Sequence, residues 1–232
     1  MNDSVDITKN LSVVRATIAD HARLIAVSKT KPISAVQEAY NAGQRLFGEN
    51  HAQEMRGKHE VLPKDIEWHM IGHLQTNKVK YIASFVDLVH SIDSEELLRV
   101  VNKEAAKHGR VIDCLLQFHI AEEKTKFGLT EEEAKALLEN DECGMLKNIR
   151  IVGVMGMATN TPDQDEVRKE FRHLKQIFDH LKAMYFTSDA SFKEISMGMS
   201  HDYKIAVEEG STLVRVGQGI FGIRDYGIKG NE

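Results

Sequence analysis

The order of apolar segments predicts an α/β fold: a single closed barrel of eight β/α units, a TIM (β/α)8 barrel, with one extra helix in front. Three observations carry this. Eight short apolar strand candidates alternate with helical patterns along the 232 residues, and parallel strands need such crossover helices. The strand candidates are continuous apolar runs, as in sheets buried on both faces. No linker rich in Pro, Gly or Ser divides the chain, so residues 1–232 are expected to fold as one domain. A doubly wound open sheet satisfies the same alternation, but eight units in this length favour the barrel.

The first helix is expected to be capped by Asp3 or Ser4 and to bury Ile7, Leu11, Val14 and Ile18. Strand one is 24–28, and Pro32 then opens a helix through Val36, Ala39 and Tyr40 that stops at Gly43. Strand two, 45–47, runs into Gly48-Glu49-Asn50 and a helix. Strand three, 66–71, is broken by Gly72, with a helix expected over 76–83. Strand four is 86–90, and Asp93 is the expected cap of the helix carrying Leu97, Leu98, Val101 and Ala105. Strand five is 111–120, and Thr130 with Glu133 forms a capping box for the next helix. Strand six is 149–155, followed by a helix whose stripe is Val167, Phe171, Leu174, Phe178 and Leu181. Strand seven is 194–200, then a short helix to Gly210, strand eight over 212–216, and a polar tail after Arg224.

Composition narrows the function classes. With 42% hydrophobic and 28% charged residues the chain reads as an ordinary globular protein, and a net charge of -5 without a basic run argues against nucleic acid. Cys114 and Cys143 lie far apart, near no His or Cys at ligand spacing, so neither a disulfide framework nor a metal site is expected. The acidic, polar start is no signal peptide, and no apolar run approaches membrane-spanning length. A cytoplasmic protein is the expectation.

In a barrel the working face is the carboxyl end of the strands. Lys29 sits where strand one runs out, and a lysine there needs a reason, because lysine is almost never fully buried unless paired. The bland alternative is a lysine that marks the strand end and points to solvent. The same rim collects Asn50, His69, Lys126, Met157, Ser196, Ser200, Arg215, Gly217 and Gly219. The loops after strands seven and eight, Ser-Met-Gly-Met-Ser and Gly-Gln-Gly, offer hydroxyls and exposed amides for an anion, the usual phosphate position in this fold. Lysine amines form Schiff bases with carbonyl ligands. A lysine beside a phosphate cradle therefore points to a phosphorylated aldehyde, either pyridoxal 5'-phosphate (PLP) or a sugar phosphate.

Ala26-Val27-Ser28-Lys29-Thr30-Lys31-Pro32, Phe47-Gly48-Glu49-Asn50, Trp68-His69-Met70-Ile71-Gly72-His73-Leu74-Gln75-Thr76-Asn77-Lys78, Ser196-Met197-Gly198-Met199-Ser200 and Val214-Arg215-Val216-Gly217 together resemble the pyridoxal phosphate homeostasis protein family. That family is similar to the N-terminal barrel of alanine racemase, and the likeness runs from about residue 20 to 226. It implies that Lys29 holds PLP as an internal aldimine, that Ser200, Gly217 and neighbouring amides cradle the phosphate, and that Arg215 faces the pyridine nitrogen. Asn50, His69 and Met157 match residues lining the pocket, and Ser196 and Gly219 are counted with the cofactor-binding set. Lys126 matches a family lysine, and Lys31 or Lys126 is a candidate second, transient docking point for an outgoing cofactor. One departure is His73, where many relatives have Pro.

An arginine at the pyridine nitrogen only donates hydrogen bonds and favours the unprotonated ring, so the cofactor is a weak electron sink there. Alanine racemase compensates with a tyrosine from a C-terminal β-domain of a second subunit, whereas this sequence is expected to end as its barrel closes. None of Tyr40, Tyr81, Tyr185, Tyr203 and Tyr226 is an obvious replacement. The resemblance thus implies a PLP carrier or buffer without evident turnover and no catalytic residue. PLP-dependent apo-enzymes are its candidate recipients and a monomer is its expected state, with an amino-acid racemase as the alternative.

Overall fold

The computed structural model describes residues 5–121 and 127–222. Lys126, Arg224 and Tyr226 lie outside them. The elements run α1 (Ile7–Ile18), β1 (Arg23–Val27), α2 (Ile33–Asn41), β2 (Leu46–Glu49), α3 (Ala52–Val61), β3 (Glu67–Met70), a 3₁₀ turn (Thr76–Tyr81), β4 (Leu88–Ile92), α4 (Glu95–Lys107), β5 (Ile112–Phe118), α5 (Glu131–Glu139), α6 (Asp141–Gly144), β6 (Ile149–Gly156), α7 (Gln164–Tyr185), β7 (Glu194–Ser196), α8 (Tyr203–Glu208), β8 (Leu213–Val216) and α9 (Gln218–Phe221). The eight strands pair in parallel in chain order, and β8 returns to β1 to close the ring, with Ile25 opposite Arg215. Closure leaves no strand edge.

The capping box at Thr130 is as expected, and so is the stripe of α7 at Val167, Phe171, Leu174 and Leu181, with Ile177 buried beside it and Phe178 only partly buried at its edge. Other boundaries shift for local reasons. Asp6 caps α1, because the cap must directly precede Ile7 for its carboxylate to accept from the Lys9 amide at 2.9 Å; the expected caps Asp3 and Ser4 lie outside the described residues. Ser94, not Asp93, caps α4 by accepting from Leu97 N, while Asp93 turns to His73. The segment after Gly72 winds as a 3₁₀ helix with i to i+3 bonds, such as Ile82 N to Val79 O. Strand seven ends at Ser196 because Gly198, at φ +95°, turns the chain.

Two apolar layers result. The larger lies between barrel and helices and includes Leu11, Phe47, Trp68, Val154 and Phe171. The smaller fills the middle of the barrel with Ile25, Leu88, Leu115, Val152, Met155 and Leu213. Side chains alternate along a strand, so each inward row passes from one end of the ring through this plug to the other. Arg23, Ile25, Val27 and Lys29 form such a row, as do Asp113, Leu115 and Gln117, and Leu213, Arg215 and Gly217. The first member of the β1 and β5 rows borders a polar basin at the strands' amino ends. The last members line a cavity at their carboxyl ends.

Candidate functional site

That cavity holds about 590 Å³ and is lined by Lys29, Lys31, Asn50, Met157, Ser200, Arg215 and Gly217 together with Val27, Ile71, His73, Gln117, Phe127, Met199, His201 and Gln218. The half-buried Lys29 arrives on a turn in which the Lys31 amide donates to the Ser28 carbonyl at 3.0 Å. Thr30, the third residue of that turn, has φ +64°, a left-handed conformation that a β-branched residue adopts only at a cost. A buried network holds the strain. Lys58 Nζ donates to Ser28 O, Glu49 Oε1 and Glu54 Oε1, each at 2.7 Å. Ser28 Oγ donates to Glu49 Oε1 and Thr30 N donates to Glu54 Oε1, both at 2.6 Å. Glu49 is fully buried, and burial pushes its carboxyl up to about 7 against the pull of Lys58 and Ser28.

Asn50 follows β2 at a close backbone approach: a Cβ on Gly72 would lie 2.6 Å from Asn50 O, so only glycine fits there. Across the cavity, Ser200 Oγ accepts from Gly217 N at 3.2 Å and from Gly219 N at 3.3 Å. Two amides and a hydroxyl thus converge at one rim, the donor set an anion needs. Lys31 Nζ donates to Phe221 O at 2.9 Å and Gly222 O at 3.3 Å, tying the β1 loop to the end of α9. His73 stacks on Phe127 at the rim, ring centroids 4.4 Å apart.

Arg215 lines the cavity floor although it is 4% exposed. It donates to Ser196 Oγ and, at 3.2 Å, to Gly156 O. Burial brings it down to about 10. Behind it, Ser196 Oγ lies 2.8 Å from His90 Nδ1, and His90 Nε2 lies 3.0 Å from His69 Nδ1. Desolvation lowers His69 to about 3 and His90 well below the usual imidazole range.

Of the expected cofactor residues, the structure brings Lys29, Asn50, Met157, Ser200, Arg215 and Gly217 to the cavity, with Gly219 reaching it through Ser200. His69 and Ser196 are placed differently. Ser196 is fully buried beneath Arg215, and His69 is turned toward His90 and borders the basin at the opposite end. Inspection of the sequence missed His90 and the Lys58 network. Lys58 falls on the stripe of Ala52 and Met55, the buried face of α3, and that spacing was the available signal. None of the described tyrosines lines the cavity: Tyr40 bonds Asp65, Tyr185 bonds Glu139, and Tyr203 is buried in α8. Cys114 is fully buried in β5. Among the described residues no cluster of three metal-ligating side chains occurs, and no helix is long and apolar enough to cross a membrane.

The family model for the alanine racemase N-terminal domain matches residues 3–225. The chain is 40% identical over 206 residues to the pyridoxal phosphate homeostasis protein of Aquifex aeolicus, covering 88% of each. PipY of Synechococcus elongatus, solved without and with PLP, is similar in structure: the form without PLP has a TM-score of 0.86 and 34% identity over 94% of this chain and 100% of that one. Alanine racemase of Bartonella henselae, at 16% identity and TM-score 0.72, shares the fold over 98% of this chain and 62% of its own. With this barrel, this arrangement of basic residues and amides, and these likenesses along most of its length, the chain belongs to the pyridoxal phosphate homeostasis protein family, whose fold is that of the alanine racemase N-terminal domain.

Proposed function

We propose that the protein binds PLP, attached through its aldehyde to the Lys29 amine, and serves in intracellular PLP homeostasis by buffering, sequestering or delivering it as a single domain over residues 1–232. The observation that carries this is the convergence on one cavity of Lys29, the Arg215 guanidinium and the Ser200, Gly217 and Gly219 donors. The family membership and the solved PLP-bound form of PipY, 33% identical, support it. When bound, PLP supplies a reactive aldehyde and a conjugated ring. The chain supplies the rest. The Lys58 network fixes the turn that presents Lys29, the amides at Ser200 offer hydrogen bonds to a phosphate, and Arg215 offers only N–H donors to a ring nitrogen, disfavouring its protonation.

A racemase needs a second acid–base group at the substrate carbon. The tyrosines that the structure describes stand away from the cavity, so a carrier without turnover is the better reading, with PLP-dependent apo-enzymes as its recipients. The deciding measurement is the visible spectrum of the protein mixed with PLP, beside that of Lys29→Ala. A band near ~420 nm in the parent that vanishes in the variant is expected, because extended conjugation requires the covalent link. A parent that stays colourless would overturn the proposal in favour of a sugar-phosphate ligand.

A further inference from the structure

Four buried polar groups run in line from the cavity floor down through the barrel: Arg215, Ser196, His90 and His69. Their donor and acceptor roles follow from elimination. A guanidinium can only donate, so Ser196 Oγ accepts from Arg215. Ser196 is fully buried and its hydroxyl has one proton, whose remaining partner is His90 Nδ1 at 2.8 Å. His90 Nδ1 is then an acceptor, which places the ring proton on Nε2. Nε2 faces His69 Nδ1 at 3.0 Å, so His69 accepts there and carries its own proton on Nε2. His69 borders the basin of about 310 Å³ at the strands' amino ends, beside Arg23 and Glu194. Desolvation keeps both imidazoles neutral, as this arrangement requires.

We propose that Ser196, His90 and His69 form a one-way hydrogen-bonded chain, every proton directed away from the cavity, that fixes the Arg215 guanidinium at the cavity floor. His90 and His69 are then positioning residues: they touch neither the cavity nor its ligand and act through Ser196. The consequence for the ligand rests on the PLP reading above; the chain itself does not.

The test uses the whole protein labelled with 15N-histidine and 15N-arginine, with signals assigned by loss in His69→Gln, His90→Asn and Arg215→Lys. Both imidazoles are expected neutral with the proton on Nε2 from pH 5 to 8. A charged ring, or a proton on Nδ1 of either, overturns the chain. Positioning is read from Arg215 guanidinium proton exchange without ligand. His90→Leu removes both bonds and is expected to speed exchange roughly tenfold or more, the scale of one buried hydrogen bond. His90→Asn keeps an acceptor for Ser196 and is expected to restore slow exchange, although both variants lose packing. Equal exchange in the two variants overturns the positioning role. With ring-15N-labelled PLP added, His90→Leu is expected to raise by about one unit the pH at which the ring nitrogen protonates, read from its 15N shift, because a loosened guanidinium no longer holds that nitrogen unprotonated. A parent that takes up no PLP would defeat the functional proposal and leave the tautomer and exchange results to decide this one.

Discussion

The two ends of the barrel interior are built from the same inward rows and differ in how charge is handled. At the amino end, charges meet their opposites within the basin: Arg23 pairs with Glu194 at 2.8 Å and Arg150 grips Asp113 at 2.8 and 3.0 Å. At the carboxyl end, polar groups are held from behind. Lysine 58 braces the Lys29 turn from outside the barrel wall, and Ser196 braces Arg215 from below. A pair closed on itself contributes to stability. A group supported from the rear is held in place at the cavity wall. The lesson is that the functional end of this barrel is recognised less by which residues it displays than by which residues support them.

Removing a support should therefore cost far more than removing a basin pair. Lys58→Ala leaves the carboxylates of Glu49 and Glu54 and the Ser28 carbonyl without their donor in a buried site, and about 3–5 kcal/mol of stability is expected to go, measured by urea unfolding. A loss under about 1 kcal/mol would mean the turn is held by backbone geometry alone. The next effect is on pH dependence. The folded chain keeps His90 neutral, whereas the unfolded chain protonates it below its ordinary value of 6.5, so this group lowers stability as pH falls beneath 6.5. Glu49 has the opposite sign. Its folded carboxyl, pushed up to about 7, holds a proton that the unfolded chain releases above 4.5, so its contribution is lost as pH rises toward 7. His90→Asn should flatten the acid limb between these values by up to about 1.4 kcal/mol per pH unit and Glu49→Gln should steepen it as much. Unfolding midpoints at three pH values read both slopes, and parallel curves for parent and variants would refute the assignment. The smallest effect belongs to the basin: Arg150→Ala opens a pair whose arginine side chain is 54% exposed, and less than about 1 kcal/mol is expected. A larger loss would show that the basin is more than a set of solvated pairs.

The barrel was legible in the sequence because its strands are apolar runs separated by helices, and Lys29 because a lysine followed by Pro32 so plainly ends such a run. Height within the barrel was not legible. His69, one residue inside the end of β3, shares the inward row of Glu67 and Ile71, but only the register of neighbouring strands sets it opposite Leu88 of the barrel plug, from where its ring reaches His90 and not the cavity. His90 itself looked like the close of an apolar strand. Its role depends on Ser196, 106 residues away, a pairing that only ring closure creates. Likewise Glu54 and Lys58 have the spacing of an ordinary surface pair on a helix, and burial against Ser28 alone reveals their task.

The seam of the ring has a further consequence. Lys29 follows β1 and Arg215 belongs to β8, and these first and last strands lie side by side with Ile25 opposite Arg215. A chain emerging from the ribosome thus carries one half of the cavity from the start and waits nearly its whole length for the other. The contact that completes the site is also among the most distant in sequence and among the slowest to form. A molecule that bridges the two halves would fasten the ring at the seam between its first and last strands, and would act as a clasp against its opening.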